Sequence, residues 1–255
     1  MSDVLKEILE SKRARLARGE YAAGGAAARP SDGAGFAAAL RGSGRRIVAE
    51  FKARSPSAGE ILTSADAKVE SFGLIYRRGH AAAISVVIEE DHFGGKPGWL
   101  PRIKAMSGLP VLMKDFVVDE RQLDFALSLG ADAVLLFARA LGDGELERLS
   151  TAARERGLAR VVEAHEPAEI HRAAALEPEV LGVNARDLAT FRTDLETLEA
   201  LVREIPAGPV RLAESGIRNR DDVARLAASG FEAFLVGERL LRSDDPEQEL
   251  RELRA

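Results

Sequence analysis

The chain has 255 residues, 46% of them hydrophobic and 30% charged, with a formal net charge of −5, a balance ordinary for a globular protein and a length that can bury a sizeable core. The absence of cysteine excludes disulfides, thiol nucleophiles and thiolate-held metals, the acidic balance argues against nucleic acid while leaving room for a local anion site, and His80, His92, His165 and His171 form no HExxH pair, so no metal is expected. No apolar run approaches membrane-spanning length and the opening residues 1–20 are charged throughout, without the apolar core of a signal peptide, so a cytoplasmic protein with no membrane partner is expected.

In chain order, residues 3–18 read as an amphipathic helix with Val4, Leu5, Ile8 and Leu9 on one face. An Ala- and Gly-rich connector follows over 19–35, then a short helix from Phe36 to Leu40. From residue 46 onward apolar runs alternate with amphipathic stretches. Strands are expected at 47–51, 82–87, 110–114, 132–137, 160–164, 180–184, 209–213 and 232–236. Helices are expected at 66–78, 98–107, 119–129, 143–156, 167–176, 195–204, 219–229 and 246–253. Gly130 and Gly230 close two of them in the manner of C-cap glycines.

Eight strand–helix units predict a parallel sheet, and eight is the number that closes into a (β/α)8 TIM barrel. A single domain is expected, with residues 1–45 as an N-terminal helical extension and 46–255 as the barrel. A doubly wound open sheet is the other arrangement, but its Gly-rich dinucleotide loop should follow the first strand, where this chain has Lys52-Ala53-Arg54-Ser55-Pro56-Ser57.

Strands covered on both faces read as apolar runs, and a charge in one is costly unless paired. Here the polar residues gather at the C-terminal strand ends, the face on which such barrels do chemistry. The first strand ends Glu50-Phe51-Lys52; alternation puts Glu50 and Lys52 on one side and Phe51 on the other. The third ends Lys114-Asp115-Phe116. Desolvation is expected to lower the pKa of Lys114 and make it a general acid, with Phe116 walling an apolar pocket. The fifth ends with Glu163, a candidate base, while His165, two residues further out, is expected to be a loop residue. After the sixth strand Asn184 and Arg186 share one side, an amide to orient a substrate and a guanidinium to hold an anion; Asp187 is assigned to the turn that follows. The seventh ends Glu214-Ser215-Gly216 and the eighth Val236-Gly237-Glu238, the corner where many barrels hold a phosphate on backbone N–H groups. The connection 54–65 is longer than usual for its kind, a length typical of lids. Plainer readings stand beside these: a rim ion pair for Glu50 and Lys52, a snorkelling side chain for Lys114, ordinary turn glycines for Gly216 and Gly237.

Taken together and in order, the motifs resemble the indole-3-glycerol phosphate synthase family of tryptophan biosynthesis, from about Leu5 to Pro246. The stretches that carry the resemblance are Ala49–Lys52 with Ser55–Gly59, Ile84–Val86, Phe93–Gly95, Pro110–Phe116, Gly130–Leu136, Asn184–Leu188, Ala213–Ile217 and Phe234–Glu238. The resemblance implies a phosphorylated small-molecule substrate, 1-(o-carboxyphenylamino)-1-deoxyribulose 5-phosphate, closed to an indole ring with loss of carbon dioxide and water. It implies no cofactor and no metal, and it leaves room for other tryptophan-pathway enzymes as partners. By position, Lys114 is similar to the general acid, Glu163 to the residue that assists loss of the hydroxyl or handles the later proton, and Lys52 to a lysine that pairs with substrate anions, the division between the two lysines being open. Glu50, Ser55, Asn184, Arg186, Glu214 and Ser215 match substrate contacts. Gly216, Gly237 and the backbone at Glu238 match phosphate contacts, and Phe116, Leu135 and Phe137 match the wall beside the anthranilate ring. The chain departs from the family pattern at Ala58, His80, Ile88, Phe137 and Glu238-Arg239.

Two other readings compete. Another phosphate-binding barrel, such as a phosphoribosyl-sugar isomerase, commonly carries an early cysteine that this chain lacks. A non-catalytic barrel subunit would be expected to have lost its acid–base groups, yet Lys52, Lys114 and Glu163 are all present.

Overall fold

A computed structural model describes residues 3–22, 33–186 and 193–255. Eight parallel strands form a closed barrel: β1 Arg46–Phe51, β2 Ala83–Val87, β3 Val111–Lys114, β4 Ala133–Phe137, β5 Ala159–Ala164, β6 Val180–Asn184, β7 Val210–Glu214 and β8 Ala233–Val236. Each pairs with its sequence neighbours, and β8 closes the ring on β1 with Val48 opposite Leu235. Around the barrel run α3 (Ala65–Arg78), α4 (Trp99–Ser107), α5 (Arg121–Leu129), α6 (Asp143–Glu155), α7 (Pro167–Ala174), α8 (Leu195–Leu201), α9 (Arg220–Ser229) and α11 (Pro246–Arg254). Two more helices, α1 (Asp3–Ala17) and α2 (Gly33–Leu40), precede the barrel, and a short α10 (Glu238–Arg242) follows β8.

The expected (β/α)8 barrel with a helical extension is therefore the observed fold, with boundaries shifted by a few residues. The seventh strand runs one residue further, to Glu214, and the last turn expected of α8 is a separate 3-10 turn, Val202–Glu204. The doubly wound alternative is excluded by ring closure.

Strand alternation sorts the apolar residues into two cores. Ile47, Ala49 and Phe51 point outward into the layer under the helices, while Val48, Ala83, Leu112, Val161 and Leu212 fill the barrel interior. At the lower end α2 plugs the barrel with Phe36 and Leu40, both fully buried. Each such side chain contributes about 1.5–3 kcal/mol. The interior is thus dry at the bottom and polar at the top, because the inward positions change from Val48 to Glu50, from Leu112 to Lys114, from Val161 to Glu163 and from Leu212 to Glu214.

Gly108, Gly130 and Gly230 end α4, α5 and α9 in the left-handed conformation, which spares the chain a Cβ clash. The connection after β1 is an ordered hairpin, Arg54–Ser55 against Gly59–Glu60. Its far end is tied back where Ile61 and Leu62 both donate to the Ala53 carbonyl, at 2.8 and 2.9 Å.

Candidate active site

The C-terminal strand ends surround a cavity of about 610 Å³, a size suited to a small ligand. Every site residue expected from the sequence lines it except Glu214: Glu50, Lys52, Ser55, Lys114, Phe116, Leu135, Phe137, Glu163, Asn184, Arg186, Ser215, Gly216, Gly237 and Glu238. Asp187 lies outside the described residues.

Lys114 is the centre of the floor. Its Nζ lies 2.6 Å from Glu214 Oε2, 3.5 Å from Glu50 Oε2 and 3.7 Å from Glu163 Oε2. Three different strands, β7, β1 and β5, bring those carboxylates to one ammonium. Glu214, 1% exposed, sits beneath the lysine rather than on the cavity wall. Lys52 pairs with the other oxygen of Glu50 at 2.5 Å. Asn184 donates from Nδ2 to Glu163 Oε1 at 2.8 Å and accepts from the Arg186 backbone N–H at 3.0 Å. The Arg186 guanidinium reaches across the mouth to the Ser57 hydroxyl of the hairpin.

This crowding sets the protonation states. Burial alone would push the Lys114 ammonium down, but Glu214, Glu50 and Glu163 outweigh it and hold its pKa well above the ordinary lysine value. The expectation of a lowered pKa at Lys114 is corrected on this point: a lysine after an apolar strand is desolvated, but strand order decides what faces it. Burial pushes Glu214 up, with Lys114 only partly offsetting it and Glu163 adding to it. Three carboxylates share few cations, and Glu214 carries the shortfall; its Oε1 is buried without a hydrogen-bond partner. Burial would raise Glu50 too, but Lys52 and Lys114 overcome it and bring its pKa to about 2.

Glycines make room for these acids. A Cβ at Gly237 would come within 2.7 Å of Glu50 Oε1, and one at Gly182, in the middle of β6, within 2.3 Å of Glu214 Oε1. Gly182 carries no signal in the sequence beyond an ordinary strand glycine. At the corner expected to hold a phosphate, Ser215 and Gly216 are both left-handed, with φ of 68° and 80°. A serine there costs of order 1–3 kcal/mol, which the surrounding structure must offset. Gly237 is the N-cap of α10, so the first N–H groups of that helix have no carbonyl within it to accept them.

The opposite wall is aromatic. Phe93, Phe116 and Phe137 form a row with centroids 6.5 and 5.7 Å apart. Helix α1 completes this wall with Val4, Leu5 and Ile8, and Leu5 and Leu9 pack on Phe137. Sequence reasoning assigned α1 to an extension ahead of the barrel and not to the site. Its docking rests on Lys12, whose Nζ lies 2.7 Å from Asp115 Oδ1, both side chains 1% exposed, with Tyr21 hydrogen-bonded to each. Removing one partner of a buried pair strands the other charge. Lys12→Met is therefore expected to lower stability by about 3–5 kcal/mol, read as a fall in the urea midpoint; an unchanged midpoint would show that Asp115 does not need this cation.

The family model for indole-3-glycerol phosphate synthase matches residues 5–253. The chain belongs to the indole-3-glycerol phosphate synthase family. It is 39% identical to indole-3-glycerol phosphate synthase 2 of Ralstonia nicotianae, over 97% of this chain and 92% of that one. It is 40% identical to the synthase of Azospirillum brasilense, with both chains covered in full. Among solved structures, 3-hexulose-6-phosphate synthase from Salmonella typhimurium superimposes with a TM-score of 0.63 at 16% identity, covering 82% of this chain and 96% of that one; at that identity it speaks for the barrel alone. The activity expected from the sequence, a carboxy-lyase of tryptophan biosynthesis, is the activity of this family.

Within the synthase fold the departures noted in the sequence fall unevenly. His80 is a left-handed turn residue between α3 and β2, at the N-terminal end of that strand. Ile88 is buried in the outer core. Arg239 pairs with Glu249 at 2.6 Å, while Phe137 stands in the aromatic wall. Among the described residues no group of His, Cys, Asp and Glu is arranged to hold a metal, and no helix is long and apolar enough to cross a membrane.

Proposed function

We propose that this synthase takes 1-(o-carboxyphenylamino)-1-deoxyribulose 5-phosphate with its aryl ring against Phe93, Phe116 and Phe137 and its phosphate at the Ser215–Gly216 and Gly237–Glu238 corner. Lys114 is the general acid of ring closure. The ring carbon bearing the carboxylate attacks the ketone carbon, a carbon–carbon bond forms, and the ketone oxygen takes its proton from Lys114. Carbon dioxide then leaves and returns its bonding electrons to the ring. Glu163 serves the dehydration that follows, in which the new hydroxyl leaves as water and a proton is lost from the neighbouring carbon. Lys52 and Arg186 meet the anionic groups of the substrate.

The observation that carries this reading is the position of the Lys114 ammonium among Glu163, Glu214 and Glu50, in a cavity lined on one side by aromatic rings and on another by Ser215, Gly216, Gly237 and Glu238. An ammonium held by three carboxylates stays charged at neutral pH but is a weak acid. A ketone oxygen arriving in place of one carboxylate contact removes part of what raises its pKa, which is the direction general acid catalysis needs. A cytoplasmic setting beside other tryptophan-pathway enzymes fits the reading.

Substrate incubated with the purified chain in the presence of a chelator should yield indole-3-glycerol phosphate, followed by indole fluorescence. The 5-dephospho substrate should lose most of its kcat/KM. No product at high enzyme concentration would overturn the reaction; equal turnover of both substrates would overturn the phosphate corner.

A further inference from the structure

His165 follows β5 by one residue, in the turn where the sequence placed it, yet its side chain is only 4% exposed and does not line the cavity. Both ring nitrogens are buried without a hydrogen-bond partner. Nε2 lies 3.5 Å from Glu163 Oε1 and Nδ1 lies 3.8 Å from Glu169 Oε2. The ring also stands edge-on to Phe137, centroids 5.2 Å apart. The imidazole thus touches both halves of the site from behind.

We propose that His165 is a positioning residue for Glu163, its neutral imidazole donating from Nε2–H to hold the Glu163 carboxylate between Lys114 and Asn184. The choice of nitrogen follows from what each acceptor already has. Glu169 is supplied by the Arg139 Nε at 2.5 Å and by the His165 backbone N–H at 2.7 Å. Glu163 has one hydrogen bond, from Asn184, and a Lys114 contact of 3.7 Å. A neutral imidazole carries one N–H, and the acceptor in need of it is Glu163. A shift of a few tenths of an ångström makes the bond.

The charged groups around the ring are Glu163 on β5, Glu169 on α7 and Glu166 just before it, Arg139 after β4, Lys114 on β3 and Glu214 on β7. Burial first and Arg139 second bring the His165 pKa to about 4, so the ring is neutral where the enzyme works and the assignment of a single N–H holds.

This inference rests on the function proposed above. Its test compares His165→Phe, which keeps the edge-on packing and removes the donor, with His165→Gln, which can donate from Nε2 but packs less well. A lost hydrogen bond to a charged group predicts that His165→Phe lowers kcat by about 10–100-fold, with KM falling alongside it and kcat/KM near the wild-type value, because the step that Glu163 serves follows loss of carbon dioxide. His165→Gln should recover most of the rate. A purely packing role predicts the reverse order, with the Phe variant near wild type and the Gln variant impaired, and that order would overturn the proposal. So would a kcat/KM that falls in His165→Phe as far as kcat does. Wild type without indole product would instead overturn the reaction and this proposal with it, so the two failures are told apart by the wild-type control.

Discussion

Lys114→Ala is expected to lower kcat by about 10²–10⁴, the usual loss when a general acid is removed. The substitution does a second thing: it leaves Glu50, Glu163 and Glu214 facing one another without the ammonium that lies within 3.7 Å of all three. Stranding buried charges costs about 3–5 kcal/mol, so a lost rate alone would not separate chemistry from folding. Lys114→Arg separates them. A guanidinium stays protonated at any working pH, so it keeps the carboxylates paired but is a far poorer acid. The Arg variant should melt near wild type and still turn over slowly, as read by thermal unfolding beside steady-state fluorescence. Near-full activity in it would mean that position 114 supplies charge rather than a proton.

Glu163→Gln should also cut kcat by about 10²–10⁴, for a different step and with less structural disturbance. Glu163 accepts from Asn184 through Oε1, and the Gln amide oxygen can take over that bond. Lys114 keeps Glu214 at 2.6 Å and Glu50 at 3.5 Å, so no charge is left unpaired. KM should fall together with kcat and kcat/KM should change little, because the slowed step follows the loss of carbon dioxide. Unchanged kcat in a folded Gln variant would move the dehydration to another group, with Glu50, which also lines the cavity and approaches Lys114, the next carboxylate to test.

Much of this site was legible because its residues interrupt apolar strands. Glu50 and Lys52 flank Phe51, and strict alternation sends the first two to the mouth and the phenylalanine outward against Trp99, 5.3 Å away. The same period places Glu163 and Asn184. What could not be read was set by contacts between distant strands. Lys114 is desolvated by its own strand, but its pKa is raised by carboxylates from β1, β5 and β7 that no local pattern reveals. Gly182 looks like any strand glycine until Glu214 is found beside it. The apolar face of α1 was plain, whereas its seat over the aromatic wall depends on the Lys12–Asp115 pair, 103 positions apart in the chain. His165 was placed correctly in a turn, but the direction of its ring was not a sequence property. The connection 54–65 has a length typical of lids; that it contains a hairpin, Arg54–Ser55 against Gly59–Glu60, was not legible in the sequence.

In the proposed reaction Lys114 acts before carbon dioxide leaves and Glu163 acts after. Counting carbon dioxide and indole product in the same single-turnover reaction tests that order most directly. Wild type should release the two in equal amounts, Glu163→Gln should release carbon dioxide ahead of indole, and Lys114→Ala should release neither at an appreciable rate. Carbon dioxide leaving the Lys114→Ala reaction at the wild-type rate would contradict the account.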